Sequence, residues 1–152
     1  MERVTDAAAA VESTVESLIA VLDSARLTQL PAVPPAQLRV LTLLVDASGT
    51  NMSRLAEALA VVPSSASRLC DRLEATGLLR RIPDPQDRRE VRLLLTPTAI
   101  RLLDELRERR RAALAVILDR MSPGQRDDLT RGLAAFAEAA DPVRDGIRLR
   151  SA

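Results

Sequence analysis

The sequence predicts a mainly α fold carrying one small β-hairpin, and three observations lead there. Apolar residues recur at three- and four-residue steps over most of the 152-residue chain, the period of amphipathic helices. Prolines and capping residues cut that pattern into six helical segments. Between the fourth and the fifth the pattern changes. Leu78 to Ile82 and Glu90 to Leu95 are short stretches rich in Leu, Ile and Val, joined by Pro83-Asp84-Pro85-Gln86-Asp87-Arg88-Arg89. The prolines and aspartates of that segment favour a long charged loop over continued helix.

Taken in order, Val11, Val15, Leu18, Leu22 and Ala25 give the first helix an apolar stripe from Ala7 to about Leu30, and Pro31, Pro34 and Pro35 end it. Pro35 suits the first turn of a second helix reaching about Ala47, with Leu38, Leu41, Leu44 and Val45 inward and Gly49 beyond its end. Asn51 is a good N-cap for a short third helix, Met52 to Leu59. A fourth begins at Pro63 and ends near Thr76-Gly77. After the hairpin, Thr96-Pro97 opens a long helix whose seam is Ile100, Leu103, Leu106, Ala113, Leu114, Ile117 and Met121. Ser122-Pro123 repeats the start signal, and the last helix is expected to run to about Ala140, with a polar tail from Asp141-Pro142.

Composition removes several chemistries. About 47% of the side chains are apolar and 28% charged; all 22 basic residues are Arg, and His, Trp and Tyr are absent. Without His, and with Cys70 as the one thiol, the chain cannot build a Cys/His zinc cage, a Ser-His-Asp triad, a Cys-His pair or an internal disulfide. Acidic pairs such as Asp127-Asp128 show no pattern beyond a solvated helix face, so no catalytic, metal or cofactor residue is expected. No apolar run approaches the ~18 residues of a membrane span, and the N-terminus lacks a basic region before an apolar one. A cytoplasmic protein is expected. Charge is uneven: residues 1–51 hold three Arg against six acids, 52–96 eight against six and 97–152 eleven against nine. This bias is too small to name a partner, so the placement of Arg must decide.

At ~100° per residue the fourth helix has two sides. Ala66, Leu69, Cys70 and Leu73 fall on one; Ser64, Ser67, Arg68, Asp71 and Arg72 fall on the other. The third helix supplies Met52, Leu55, Ala56 and Leu59, and the small Ala56 suits a steep crossing of two helices over a short turn. This is the pattern of a helix-turn-helix, whose second helix presents N-terminal polar residues to base edges. The hairpin with Arg88 and Arg89 at its tip adds a cationic wing suited to the minor groove, unless Asp84, Asp87 and Glu90 neutralise it. The fold expected is therefore a winged helix-turn-helix flanked by N- and C-terminal helices. Those two helices carry apolar stripes that the small core cannot cover, so a partner should. The alternative is a winged-helix module for protein–protein interaction without DNA binding. Arg68, Arg72 and Arg88 discriminate: facing solvent they favour DNA, and paired internally they favour the alternative.

Over roughly residues 10–140 the chain resembles the MarR family of winged-helix transcriptional regulators. The likeness rests on Pro35-Ala36-Gln37-Leu38-Arg39-Val40-Leu41, Ser53-Arg54-Leu55-Ala56-Glu57-Ala58-Leu59 and Ser64-Ser65-Ala66-Ser67-Arg68-Leu69-Cys70-Asp71-Arg72-Leu73-Glu74. Gly77-Leu78-Leu79-Arg80-Arg81, Asp84-Pro85-Gln86-Asp87-Arg88-Arg89 and Leu95-Thr96-Pro97 complete it. The resemblance implies a homodimer on a pseudo-palindromic operator, repression of a neighbouring gene and, in many members, release by a small-molecule effector. It implies one domain over 1–152, with the winged helix at 35–96 and dimerisation helices at 4–30 and 97–140. The candidate DNA-contacting residues are Arg54, Ser64, Ser65, Ser67, Arg68, Arg72, Gln86, Arg88 and Arg89. Any effector pocket between the second and fifth helices should be aliphatic, since Phe136 is the sole aromatic.

Three positions depart from the family pattern: Gln86 where the wing usually has Arg, Val62 where an N-cap Ser or Thr is common, and Ala60 where the interhelical turn often has Gly. Some members sense peroxide through a Cys in the N-terminal region. Cys70, on the apolar side of the fourth helix, reads instead as an inert core residue.

Overall fold

The structure is a computed structural model that describes residues 2–27, 32–87 and 89–149. Six helices and one hairpin follow in the order α1 (Glu2–Leu27), α2 (Pro35–Asp46), α3 (Met52–Leu59), α4 (Pro63–Ala75), β1 (Leu79–Pro83), β2 (Val91–Leu95), α5 (Pro97–Leu118) and α6 (Pro123–Leu149). No described helix is long and apolar enough to cross a membrane.

Local chemistry sets most of these limits. The Asn51 side chain accepts the Arg54 backbone N–H at 3.0 Å and starts α3. Thr96 accepts from the Ala99 N–H at 3.2 Å to start α5, while its hydroxyl donates to the Gly77 carbonyl at 2.7 Å. Ser122 and Gln125 satisfy each other's backbone N–H groups ahead of α6, a capping box. α4 ends in a Schellman arrangement: the Leu78 N–H reaches the Leu73 carbonyl at 2.8 Å, and Gly77 sits at φ +72°.

The core lies where α2, α3, α4, the hairpin and the first half of α5 meet, centred on Leu41, Leu44, Leu55, Leu73, Leu93 and Leu106. The strands pair antiparallel, from Leu79 opposite Leu95 to Pro83 opposite Val91. The α2–α3 linker adds a short third rung: the Gly49 N–H donates to the Leu93 carbonyl and the Leu93 N–H to that of Thr50. The wing is thereby tied to the helix-turn-helix at its base. α1 packs on α5.

Several expectations need correction. α1 begins at Glu2 rather than Ala7, and its expected end near Leu30 lies outside the described residues. Val45 is exposed, and Val40 takes the inward place on α2. Ile100 and Ile117 are exposed as well, while Ala99 and Leu102 are buried. Leu103 and Leu106 of the expected seam stay buried, where α5 meets α2 and β2. α6 runs past Pro142 to Leu149, where a polar tail was expected from Asp141. An interior proline removes one backbone bond and costs about 3 kcal/mol. The helix formers Ala134, Ala135, Ala137, Ala139 and Ala140 precede it, and residues 143–149 contain no second proline.

Ala60 ends α3 at φ 55° and ψ 44°, the left-handed region, with its N–H held by the Ala56 and Glu57 carbonyls. That conformation costs an L-residue roughly 1–2 kcal/mol, partly offset by the smaller unfolded-state entropy of Ala. Ala60→Gly is therefore expected to stabilise the protein by up to about 1 kcal/mol. A urea titration should show the midpoint rising at constant slope; a falling midpoint would mean that the turn is not strained.

Candidate nucleic-acid interface

Residues 60–62 alone separate α3 from α4, and Ala56 and Ala66, both buried, stand on the two helices at their packed faces. Seating α4 through Ala66, Cys70 and Leu73 leaves its other side to solvent. Ser64, Arg68, Asp71 and Arg72 are exposed; Ser65 and Ser67 are half-buried. Neither Arg68 nor Arg72 forms an ion pair among the described residues, and the exposed Arg54 on α3 forms none. Ser64, Arg68 and Arg72, four residues apart, make one continuous polar and cationic strip.

Arg81 ties this helix to the wing. Its guanidinium donates to Asp71 at 2.7 Å, to Glu74 at 3.0 Å and to the Ser67 carbonyl at 3.2 Å, spanning two turns of α4 from β1. Desolvation weakens the cation, but the hydrogen bond and charge of Asp71, with Glu74, outweigh it and raise its pKa above the ordinary value. The sequence reading missed this clamp. The available signal was strand alternation, which turns Arg80 and Arg81 to opposite faces, beside two acids three residues apart on α4.

The acids of the wing are engaged in shaping it. Asp84 accepts from Arg92 Nε at 2.6 Å and from the Gln86 and Asp87 backbone N–H groups, contacts that lower its pKa. Asp87 accepts the Arg89 backbone N–H, and Glu90 accepts from Asn51 Nδ2 at 2.8 Å. None of the three forms an ion pair with the described tip residue Arg89, which is exposed like Gln86. Arg88 lies outside the described residues.

Cys70 is fully buried beneath this face, and burial pushes its thiol up to about 11, against the opposing pull of nearby Arg81. The unfolded thiol ionises near 9, so the stability associated with this group is complete below that pH and is lost as pH rises towards 11. We expect brief, mild peroxide to leave DNA binding intact, and Cys70→Ala to bind nearly as wild type does. Cys70→Ser, which buries a hydroxyl, should cost about 1–3 kcal/mol. Release of oxidised wild type from DNA, with Cys70→Ala resistant, would make this a thiol sensor instead.

Between α2 and α5 lies a cleft of about 220 Å³ lined by Leu44, Val45, Ser48, Leu95, Ile100, Leu103 and Arg107. It is mainly aliphatic, as expected, and explains the exposure of Val45 and Ile100. Arg107 is its charged member and pairs with Asp104 at 2.8 Å.

Known proteins share this arrangement. The MarR family model matches residues 33–91, from the start of α2 to the wing. The HTH-type transcriptional repressor MdtR of Bacillus subtilis is 32% identical over 109 residues, 72% of this chain and 70% of that protein. The uncharacterized HTH-type transcriptional regulator YfiV of the same organism is 30% identical over 108 residues, 71% and 68% of the two chains. The chain belongs to the MarR family of transcriptional regulators. The crystal structure of RV1404 from Mycobacterium tuberculosis extends the likeness to the flanking helices, with a TM-score of 0.80, 32% identity and coverage of 91% of this chain and 93% of that one. Against the family pattern, α4 here starts without a side-chain cap at Val62, and Pro63 presets the backbone of its first turn instead.

Proposed function

We propose that this MarR family regulator is a homodimeric, sequence-specific DNA-binding repressor acting on a pseudo-palindromic operator. The observation that carries the reading is the strip on α4: Arg68 and Arg72 are solvent-facing and unpaired while the opposite side of the same helix is seated in the core. Arg68, near the N-terminal half, is placed to fork onto guanine O6 and N7, with Ser64, Ser65 and Ser67 as adaptable neighbours. Arg72 and Arg54 serve the phosphates. Gln86, Arg88 and Arg89 bring the wing tip to the minor groove, where the absence of an Arg at position 86 weakens the contact. Internal pairing of the arginines, which a non-binding interaction module would need, is not found for Arg68 or Arg72.

Within this reading residues 35–96 form the winged helix, and 4–30 with 97–140 form the dimer of a single cytoplasmic domain. Exposed Val11, Val15 and Leu18 on α1 and Leu129, Leu133 and Phe136 on α6 support it, because such stripes need covering. Repression is the role named for MdtR. An effector acting through the α2–α5 cleft would be small, since about 220 Å³ lies below the usual ligand-pocket range, and would meet a mainly aliphatic lining.

The test is a selection of binding sites from genomic fragments, followed by titration at several salt concentrations. Tight binding should weaken steeply, each phosphate contact adding about −0.9 to the log–log slope. Salt-independent binding, or none to any fragment, would overturn the proposal.

A further inference from the structure

Among the described residues three helices begin under a side-chain cap: Asn51 on α3, Thr96 on α5 and Ser122 ahead of α6. α2, which starts at Pro34-Pro35, and α4 do not. Val62 stands at the N-cap of α4 with φ −67° and ψ 148°, the extended geometry from which Ser, Thr, Asp or Asn would bond the next turn, and its side chain makes no such bond. Val62 is also 62% exposed, against 37% for the adjacent Val61. Both features work against stability: a cap is forgone, and an apolar group is left in water. Packing therefore gives no reason for valine here.

Position supplies one. Val62 leads directly into the helix whose outer strip is Ser64, Arg68 and Arg72, and the N-terminal residues of such a helix are the ones that reach base edges. The apolar feature displayed in the major groove is the thymine C5-methyl group, which apolar side chains read by contact. We infer that Val62 is a specificity-determining residue that selects thymine, through its C5-methyl, at one position in each half-site. What binds is the exposed isopropyl group, not the free N–H groups of the helix end. This rests on the DNA-binding reading above.

Full-length protein is used to select duplexes from a random pool, and the best duplex is titrated with each thymine replaced in turn by deoxyuridine, which lacks only the methyl. Wild type should lose about fourfold in affinity at one thymine per half-site, the effect of burying one methyl. Val62→Ala and Val62→Ser should be indifferent to that replacement. Val62→Ser, which restores the cap, should also raise the thermal midpoint, so that stability and thymine preference move in opposite directions. Equal binding of thymine and uracil duplexes by wild type at every position overturns the assignment, as does a uracil effect that persists in Val62→Ala. If wild type selects no sequence at all, the DNA-binding reading itself falls and the role of Val62 falls with it.

Discussion

Arg68→Ala should lower affinity for a selected operator about tenfold per half-site, near a hundredfold for the dimer, and should do so at one or two symmetry-related base pairs only. The magnitude is that of a good bidentate guanine contact, about 1–3 kcal/mol, counted once in each half-site. Arg68 is exposed and without an ion pair among the described residues, so its removal should leave the unfolding free energy within about 0.5 kcal/mol of wild type. Loss of affinity cannot then be loss of fold. Arg68→Lys should recover little, because an ammonium group lacks the planar fork. The wing offers the contrast. Arg88→Ala with Arg89→Ala should weaken binding with little change in major-groove preference, and should flatten the salt slope because two cations leave the minor groove. Equal, sequence-blind losses from both sets of substitutions would show that α4 is not the reading helix.

What could be read in advance follows from how local each feature is. Asn51, Thr96 and Ser122, with Pro35, Pro63, Pro97 and Pro123 at first-turn positions, start helices by contacts within three residues, and the structure places those starts where the sequence does. The two sides of α4 are equally local, since a helical wheel needs only the sequence. Long-range contacts were out of reach. A wheel puts Val45 and Ile100 on apolar faces but does not say that those faces border an open cleft instead of a packed neighbour. The Asp84–Arg92 pair depends on the register that sets Pro83 opposite Val91, and no single strand reveals that pairing. Strand alternation separates Arg81 from Arg80, but only the packing of β1 on the end of α4 shows which of the two meets Asp71 and Glu74. The end of α6 differs for another reason: a proline signal was weighted as a stop, whereas the helix built by the alanines before it continues past Pro142.

In the homodimer proposed above, Leu133→Asp combined with Phe136→Asp should part the subunits and cut operator affinity by about three orders of magnitude. On α6, Leu129, Leu133 and Phe136 stand four and three residues apart, one stripe of a helix, and are 40%, 51% and 63% exposed in the single chain. Phe136 is the only aromatic side chain of the sequence, yet it is left in water. A two-fold symmetric partner would cover both copies of each residue, and full burial of such side chains is worth about 1.5–3 kcal/mol apiece. Four of them amount to roughly 6–12 kcal/mol by the same measure, an upper range because each is already partly covered in the monomer. A carboxylate in their place reverses the sign, since an unpaired charge must be desolvated at several kcal/mol. Affinity falls because a second half-site bound through a tether enjoys a millimolar effective concentration, which multiplies binding by about 10²–10⁴ and vanishes when the subunits part. Sedimentation at micromolar concentration reads the assembly, and Cys70 provides the control. Its thiol is buried within the helix-turn-helix, away from the altered stripe, so a monomer that keeps it unreactive towards alkylation has kept that core intact. A double variant that still sediments as a dimer and still holds the operator would show that α6 is not the face the subunits share.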